Sequence, residues 1–396
     1  MGFLKSEFLI TKNVRINASI DVVWKNLTTC SERNKWSPWY ILEPGANKGS
    51  DSLVMQKECS ESWDGKIVGK WTETVLDVQE KKLIVEMVQF EKPMKSKSWV
   101  TFDLEQDGEE VVVTWTMTSE LPIFLAFKKK SIQKMVGMDF ERGLSMLKEL
   151  CETGEVNTKS EFKESGELNE FHYIGVKRTC MAEETAEFMP KDFEKLEKLF
   201  SNSKIKMVDL PRTIYTKVNL MKGIFTYIVC FPVAEKDAKI EIDKKKFVKG
   251  KYGPQKCLRF THSGSYKFLG NTWTLAYLYP RAHKMKVNNW VPAMEVYLND
   301  PRSTDENKLM TDIFIPLKWK VQKKEEVIRE DSSTQKASNT DEAKIDKDKS
   351  TKNEPKTQEE KATPKKTSSK AKPSKPRTAK KEMAKKETWE QSKTEK

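Results

Sequence analysis

The sequence predicts an α+β fold with two folded domains and a disordered tail, and three observations support this prediction. Alternating apolar and polar strand patterns fill most of residues 6–153, and a long amphipathic helical pattern closes that region. A β-α-β-β pattern then occurs twice between residues 169 and 320. The remaining residues, 321–396, contain very few apolar side chains. A length of 396 residues fits this division, since a domain commonly takes about 100 to 200 residues.

The first region opens with a strand pattern at 8–16, a short amphipathic helix at 20–27 and a segment interrupted by Pro38. Further strand patterns follow at 53–59, 66–78, 83–90, 97–104 and 110–118, and Asp107-Gly108 is a hairpin signal between the last two. A helix is predicted over 131–152 from apolar residues at helical spacing. We expect this helix to lie across the sheet that precedes it and to enclose a cavity with it.

Three segments carry a family resemblance: INASIDVVWKNLT at 16–28, WSPW at 36–39 and GLSMLKELCE at 143–152. With the order of elements, they resemble the START-like polyketide cyclase/dehydrase and lipid-transport superfamily. The resemblance implies a helix-grip fold that binds hydrophobic molecules between helix and sheet. No histidine precedes His172, and no catalytic set is recognisable in this domain. Four tryptophans either line a pocket or form the core: Trp36, Trp39, Trp63 and Trp71.

Residues 154–168 are polar and glycine-containing, and they are predicted to be a linker to a second domain at 169–320. The first β-α-β-β copy comprises a strand at 171–179, a helix at 190–200 and strands at 212–219 and 224–231. The second copy comprises a strand at 256–262, a helix at 266–278 and two strands near the end of the domain. Two such units side by side leave a groove at their seam, which is a natural place for a ligand.

Glu295 is an acid in the middle of a short apolar strand pattern, where Ala293 and Tyr297 share its face. A carboxylate at this position either points to water or lies at the base of a cavity and contacts a ligand. Three further aromatic residues are candidates for the same site: Tyr266, Trp273 and Trp290. Rings beside one buried acid suit a lipophilic cation, because the acid offsets the charge and the rings offer polarisable faces.

The pattern W-x-P-x-x-E-x-Y-x-x-D-P, which begins at Trp290, and T-D-x-x-I-P-L, which begins at Thr311, resemble the end of the GyrI-like domain. That domain is also the effector-binding domain of AraC- and MerR-type regulators. The turn H-x-G-x-Y at 262–266 fits the same family. The resemblance implies that Glu295 contacts a ligand in a pocket between two pseudo-symmetric halves. It also implies that His262 hydrogen-bonds the start of a helix rather than taking part in catalysis.

The tail is mixed in charge and becomes basic. Residues 321–396 contain 22 Lys and Arg against 15 Asp and Glu, and residues 361–380 contain eight basic residues and no acidic one. Its TPKK and Lys-Pro sequences resemble linker-histone tails. Two interpretations remain open, a solubilising disordered extension and a segment that neutralises nucleic-acid phosphates without reading sequence. The second would use Lys365, Lys366, Lys370, Lys372, Lys375 and Arg377.

The six cysteines and three histidines occur singly, without metal-ligand spacing, so we expect no disulfide framework, metal or cofactor. The longest apolar run near the middle, 121–127, is too short to span a bilayer. These observations predict a cytoplasmic protein without a membrane partner, and a monomer.

Three functional hypotheses follow. The favoured one is a non-enzymatic protein that binds hydrophobic or cationic aromatic molecules, for sensing or sequestration, at Glu295 and in a second cavity of the first domain. The second is a hydrolase of cyclopropane-bearing genotoxins, implied by relatives of the effector-binding domain, with Glu295 as general base and Tyr297 as its partner. The third is a DNA- or gyrase-associated protein that uses the basic tail.

Overall fold

A computed structural model describes residues 5–318, which form a mixed α+β fold with two antiparallel sheets. The predicted tail, including its six basic candidate residues, lies outside the described residues. Within 5–318, no helix is both long and apolar enough to cross a membrane.

The first domain is a seven-stranded sheet with strand order β1-β7-β6-β5-β4-β3-β2. Its strands are β1 (Lys5–Ile16), β2 (Asn47–Ser50), β3 (Ser60–Gly65), β4 (Gly69–Gln79), β5 (Leu83–Lys92), β6 (Ser96–Asp107) and β7 (Glu110–Pro122). Three short helices follow β1: α1 (Ile20–Thr28), α2 (Cys30–Trp36) and α3 (Pro38–Leu42). A 3-10 helix at Ile123–Lys128 leads into the long helix α4 (Lys129–Thr153).

The inner face of this sheet packs against α4, as the alternation predicts. In β7, Val111, Val113, Trp115 and Met117 are all buried. The Trp115 ring stacks on Phe140 of α4 with 3.9 Å between ring centroids. Gly143 lies at this contact, where a Cβ atom would come within 2.9 Å of the Trp115 ring. A side chain at 143 would therefore push the helix away from the sheet.

The strand predicted at 53–59 is absent, and this segment is a loop between β2 and β3. Its residues Met55 and Cys59 are buried and pack with Cys30 of α2 and Val75 of β4, whereas Leu53 and Val54 are 84% and 48% exposed. Glu58 has a φ of 72°, which is outside the region that a strand can adopt. The apolar residues of this segment therefore belong to a loop with two buried side chains and not to a strand.

The second domain is an eight-stranded sheet with strand order β12-β9-β11-β10-β14-β15-β13-β8. Its strands are β8 (Thr158–Leu168), β9 (Phe171–Met181), β10 (Arg212–Asn219), β11 (Ile224–Val233), β12 (Val248–Tyr252), β13 (Gln255–Gly264), β14 (Ala293–Tyr297) and β15 (Met310–Pro316). Its helices are α5 (Thr185–Ser201), α6 (Glu235–Ala238) and α7 (Leu269–Ala282). The two β-α-β-β copies meet where β10 pairs with β14.

Two predictions for this domain need correction. Most of the predicted linker 154–168 is a strand, because β8 covers 158–168 and pairs with β13 along its whole length. The segment is polar because β8 is an edge strand, and charged side chains are common on exposed edges. Helix α5 also begins five residues before Pro190, at Thr185, and the Glu184 side chain accepts a hydrogen bond from the Met181 N–H just before it.

The two domains share packed contacts. Phe268 belongs to the 3-10 helix Tyr266–Phe268 of the second domain, yet it is 1% exposed and lies in the core of the first. Asn271 of α7 accepts a hydrogen bond from Arg142 Nε of α4 at 3.0 Å. Lys267 also pairs with Glu149. Helix α7 and the 3-10 helix that precedes it therefore contact the first domain through several side chains.

Candidate functional site

Glu295 lies in β14, at the seam between the two copies. The register places it opposite Thr213 of β10 on one side and opposite Ile313 of β15 on the other. Its side chain is 2% exposed. Because the strand is central in the sheet, the carboxylate is buried and does not point to water. Its contact with a ligand stays a prediction.

Three aromatic donors hold the carboxylate. Tyr215 Oη donates to Oε1 at 3.0 Å, and Trp273 Nε1 donates to the same oxygen at 2.6 Å. Tyr297 Oη donates to Oε2 at 2.7 Å. A carboxylate has about four acceptor positions, two on each oxygen. These three donors leave one acceptor position on Oε2. We call Glu295, Tyr215, Trp273 and Tyr297 the Glu295 cluster.

More aromatic rings surround the Glu295 cluster. Tyr277 stacks on Trp273 with centroids 5.7 Å apart, and Tyr215 meets Trp273 edge to face at 5.3 Å. On the other side, Phe193 and Tyr266 both lie edge to face against Tyr297, at 5.6 Å and 6.0 Å. The rings come from both copies, so this aromatic shell crosses the seam.

The Tyr297 hydroxyl connects the carboxylate to the first copy. It lies 2.8 Å from Thr213 Oγ1 and 3.3 Å from Met189 Sδ of α5. Since either hydroxyl can donate in the Thr213–Tyr297 pair, the Tyr297 proton can point to Glu295 while Thr213 supplies the second hydrogen bond.

Burial raises the pKa of Glu295, and the hydrogen bonds from Tyr297, Trp273 and Tyr215 oppose that shift. Burial and the Glu295 charge together raise the pKa of Tyr297 and of Tyr215 well above the ordinary value, so both remain hydrogen-bond donors. No Lys, Arg or His within residues 5–318 forms an ion pair with Glu295, whose hydrogen-bond partners are all uncharged.

The five residues predicted for the site are only partly brought together. Glu295, Tyr297 and Trp273 are in direct contact, and Tyr266 is one ring further away. Trp290 is 91% exposed in the loop before β14 and does not belong to the aromatic shell. It was included because it is close to Glu295 in sequence, but its position outside the strand directs the ring to solvent.

Tyr215, Thr213 and Met189 were missed by the sequence analysis. All three come from the first copy, about 80 or more residues before Glu295. Only the pairing of β10 with β14 reveals that residues of both copies meet at the seam. The aromatic residue in RTIYTKV was the available signal, because Tyr215 shares the strand face of Thr213.

His262 has a structural position. It is fully buried, with Nδ1 at 3.0 Å from Thr272 Oγ1 and Nε2 at 3.0 Å from the carbonyl oxygen of Ser265. Burial lowers its pKa, so the ring stays neutral near pH 7. These bonds join β13 to the start of α7, as expected for this histidine.

The first domain also contains buried charges, on the inner face of β3, β4 and β5. Arg33 of α2 pairs with Glu73 and Glu86, and Lys48 of β2 pairs with Glu61. Arg33 holds the pKa of Glu86 below its usual value, whereas burial and the Glu86 charge raise the pKa of Glu73. Among the described residues, no group of His, Cys, Asp or Glu is arranged to hold a metal ion.

The four tryptophan pocket candidates of the first domain all pack against other aromatic rings of the core. Trp36, Trp63 and Trp71 are at most 6% exposed, and Trp39 packs edge to face against Trp71 and Trp115. This packing favours the core interpretation. A separate crevice of about 400 Å³ lies between residues 34–44 and residues 158–161, and none of the predicted site residues lines it.

Two family models match the chain. The model described as polyketide cyclase / dehydrase and lipid transport matches residues 7–152, and the model described as GyrI-like small molecule binding domain matches residues 166–318. The comparison with curated proteins found no match.

Similar solved structures include protein CV1439 from Chromobacterium violaceum, with 12% identity, 36% of this chain and 96% of that chain covered, and a TM-score of 0.29. The Aha1 dimer from Colwellia psychrerythraea has 18% identity, with 38% and 99% covered and a TM-score of 0.28. The EcmrR–DNA complex has 15% identity, with 48% and 67% covered and a TM-score of 0.34. Together the two family models match residues 7–152 and 166–318, in this order, and so cover most of the described residues.

Proposed function

We propose that this protein is a non-enzymatic binder of hydrophobic cations and that the Glu295 cluster recognises the charge of the ligand. The match of residues 166–318 to the model of a small-molecule-binding domain supports the general function. The specific ligand class rests on the buried carboxylate and its aromatic shell.

The observation that carries the proposal is the missing counter-charge at Glu295. Six carboxylates among the described residues are at most 8% exposed: Glu61, Glu73, Glu86, Asp192, Glu295 and Asp312. Five of them lie within 4.0 Å of a Lys or Arg nitrogen. Glu295 is the exception; Asp237, which is less deeply buried at 9% exposure, also forms no ion pair among the described residues. A buried carboxylate without a counter-ion is costly, and a cationic ligand would remove that cost.

The surroundings of Glu295 suit a cation with apolar substituents. A cation near an aromatic face gains about 0.5 to 2 kcal/mol, more as water is excluded. Tyr277 is 48% exposed and stacks on Trp273, so this edge of the shell reaches solvent. A ligand would approach from this exposed edge and place its charge near the Glu295 carboxylate.

Two probes of the same shape and opposite charge test the proposal: tetraphenylphosphonium and tetraphenylborate, in sodium buffer. We expect the full chain to bind the cation, measured by calorimetry and by thermal shift, and to bind the borate at least tenfold more weakly. Stabilisation at a probe concentration of 100 times Kd is about 2.7 kcal/mol. Equal binding of both probes would contradict the proposal.

Glu295→Gln removes the charge and keeps the shape, because Gln can accept the Trp273 and Tyr215 hydrogen bonds. We expect this variant to lose at least tenfold in affinity for the cation. The matched control is Glu241→Gln, which removes an exposed carboxylate of the same domain. Wild-type affinity in Glu295→Gln would place the site elsewhere, and the first domain and the crevice would be the next candidates.

One observation favours a second candidate function, the hydrolase. Glu295 has a raised pKa and a tyrosine hydroxyl at 2.7 Å, an arrangement in which a carboxylate could accept a proton from water. A cyclopropane-bearing electrophile offered to wild type and Glu295→Gln separates the two functions. Turnover by wild type alone, with binding retained in the variant, would support the hydrolase.

A further inference from the structure

An exposed apolar turn precedes helix α4. Ile123, Phe124 and Phe127 lie in the 3-10 helix Ile123–Lys128 and are 51%, 65% and 78% exposed. Three lysines follow them directly, Lys128, Lys129 and Lys130. We call these six residues the aromatic–lysine turn. Such exposed apolar side chains in one turn are uncommon on a protein surface and indicate an interaction site.

The geometry of the turn places its two rings together. Residues i and i+3 of a 3-10 helix lie one above the other, so Phe124 and Phe127 share one face. The Lys128 ammonium is 5.7 Å from the centre of the Phe127 ring. Residues 121–138 contain four lysines and no acidic residue, so this stretch attracts an anionic surface.

A hairpin of the second domain extends the same surface. Lys134 of α4, two turns after Phe127, lies with Nζ 3.4 Å from the carbonyl oxygen of Met221. Met221 is 50% exposed, and its neighbour Leu220 is 41% exposed. Lys222 follows and adds another positive charge. Exposed apolar residues flanked by lysines therefore come from both domains.

We propose that the aromatic–lysine turn docks the protein on the surface of an anionic lipid bilayer. The exposed phenylalanines would enter the boundary between headgroups and acyl chains, while the lysines would contact anionic headgroups. The run 121–127 is too short to span a bilayer, but a surface contact requires only a few apolar side chains. This proposal revises the expectation of no membrane partner and is independent of the ligand of Glu295.

Charge complementarity favours a bilayer over a second protein as the occupant. A stable protein interface buries about 800 Å² on each partner and is depleted of lysine at its centre. The aromatic–lysine turn has three large apolar side chains beside three consecutive lysines. A small number of aromatic rings next to several positive charges matches a contact with a membrane surface better than a protein interface.

The test is sedimentation of the full chain with vesicles of phosphatidylcholine alone or with 30% phosphatidylglycerol. The Phe124→Ser/Phe127→Ser variant keeps the lysines and the basic tail. We expect wild type to bind the anionic vesicles at least tenfold more tightly than neutral ones, and this variant to lose at least tenfold. The matched control is Leu53→Ser/Trp290→Ser, since these residues are 84% and 91% exposed outside the turn. We expect the control to bind like wild type.

A label at the turn separates docking from attraction of the tail. All six native cysteines are buried, so an environment-sensitive NBD dye on a Phe127→Cys variant reports on this position. If the turn docks, the dye emission should shift to the blue with anionic vesicles and be quenched by lipids with brominated acyl chains. A dye on Leu53→Cys should show neither change. Binding without a response at position 127 would assign the membrane contact to the tail and overturn the proposal. A change in oligomeric state of the double serine variant, without a change in vesicle binding, would also overturn it in favour of a protein interface.

Discussion

Truncation of Phe268 to alanine should loosen the first domain, although this residue belongs to the second. Its side chain is 1% exposed and packs in the core that α4 shares with the first sheet. Lys267 and Asn271, on either side, also bond to residues of α4. Phe268→Ala therefore opens the first-domain core at its contact with α7.

The expected magnitude follows from burial. A buried phenylalanine side chain removes about 200 Å² from water, which corresponds to about 5 kcal/mol at about 25 cal/mol per Å². Alanine keeps only the Cβ atom, so a loss of about 3 to 5 kcal/mol is expected, as for other buried phenylalanines. Protection of amides in α4 against hydrogen exchange would then fall by about two to four orders of magnitude, since about 1.4 kcal/mol is a factor of ten.

The assay is hydrogen exchange with mass spectrometry on peptides from α4. The matched control is Phe260→Ala, since Phe260 is fully buried in a cluster made mainly of second-domain residues. We expect Phe268→Ala to accelerate exchange in α4 strongly and Phe260→Ala to accelerate it mainly in β13 and β15. Wild-type exchange of α4 in Phe268→Ala would refute the idea that this side chain couples the domains.

Four further predictions concern charge. Burial raises the pKa of Glu295, so the affinity for tetraphenylphosphonium should decline as the pH falls through that raised pKa, by up to about tenfold per pH unit. Calorimetric titrations measure this decline. The affinity of Glu295→Gln for the same cation should not change with pH. Met189→Lys places an ammonium beside Tyr297 and should abolish cation binding while raising the melting temperature near pH 7. Arg33→Met leaves two buried carboxylates without their cation and should cost about 3 to 5 kcal/mol in urea unfolding. Deletion of 321–396 should abolish DNA retention at low salt, measured by gel shift, if the tail neutralises phosphates, and should leave cation binding unchanged.

The fold was largely predictable because its strands and helices have clear apolar periods. Strand β7 alternates cleanly, and α4 carries one broad apolar stripe, so their positions follow from local sequence. The segment 154–168 was misassigned because an edge strand needs little apolar surface and therefore resembles a polar loop. The loop at 53–59 gave the opposite error, since a loop with several apolar residues, two of them buried, has a composition similar to that of a strand.

The candidate site was predictable only in its second half. Glu295, Tyr297 and Trp273 lie in the copy that carries the recognisable pattern. Tyr215 and Thr213 reach the carboxylate through the pairing of β10 with β14, a long-range contact that local periodicity does not encode. Trp290 is close to Glu295 in sequence but does not reach the site. It lies in the loop before β14, and its ring is exposed to solvent.

Helix α7 gives the Glu295 cluster a means of influencing the first domain. Trp273, which donates to Glu295, is two residues from Asn271, which bonds to α4. A ligand that fixes Trp273 therefore also restrains α7, which carries Asn271, and the 3-10 helix with Phe268 directly before it. Saturation with a cation should then slow exchange in α4 of the wild type, and Phe268→Ala should remove that effect while leaving affinity for the cation within about threefold. Protection of α4 that is equal in both proteins would mean that the ligand acts on the first domain directly, by a second site there.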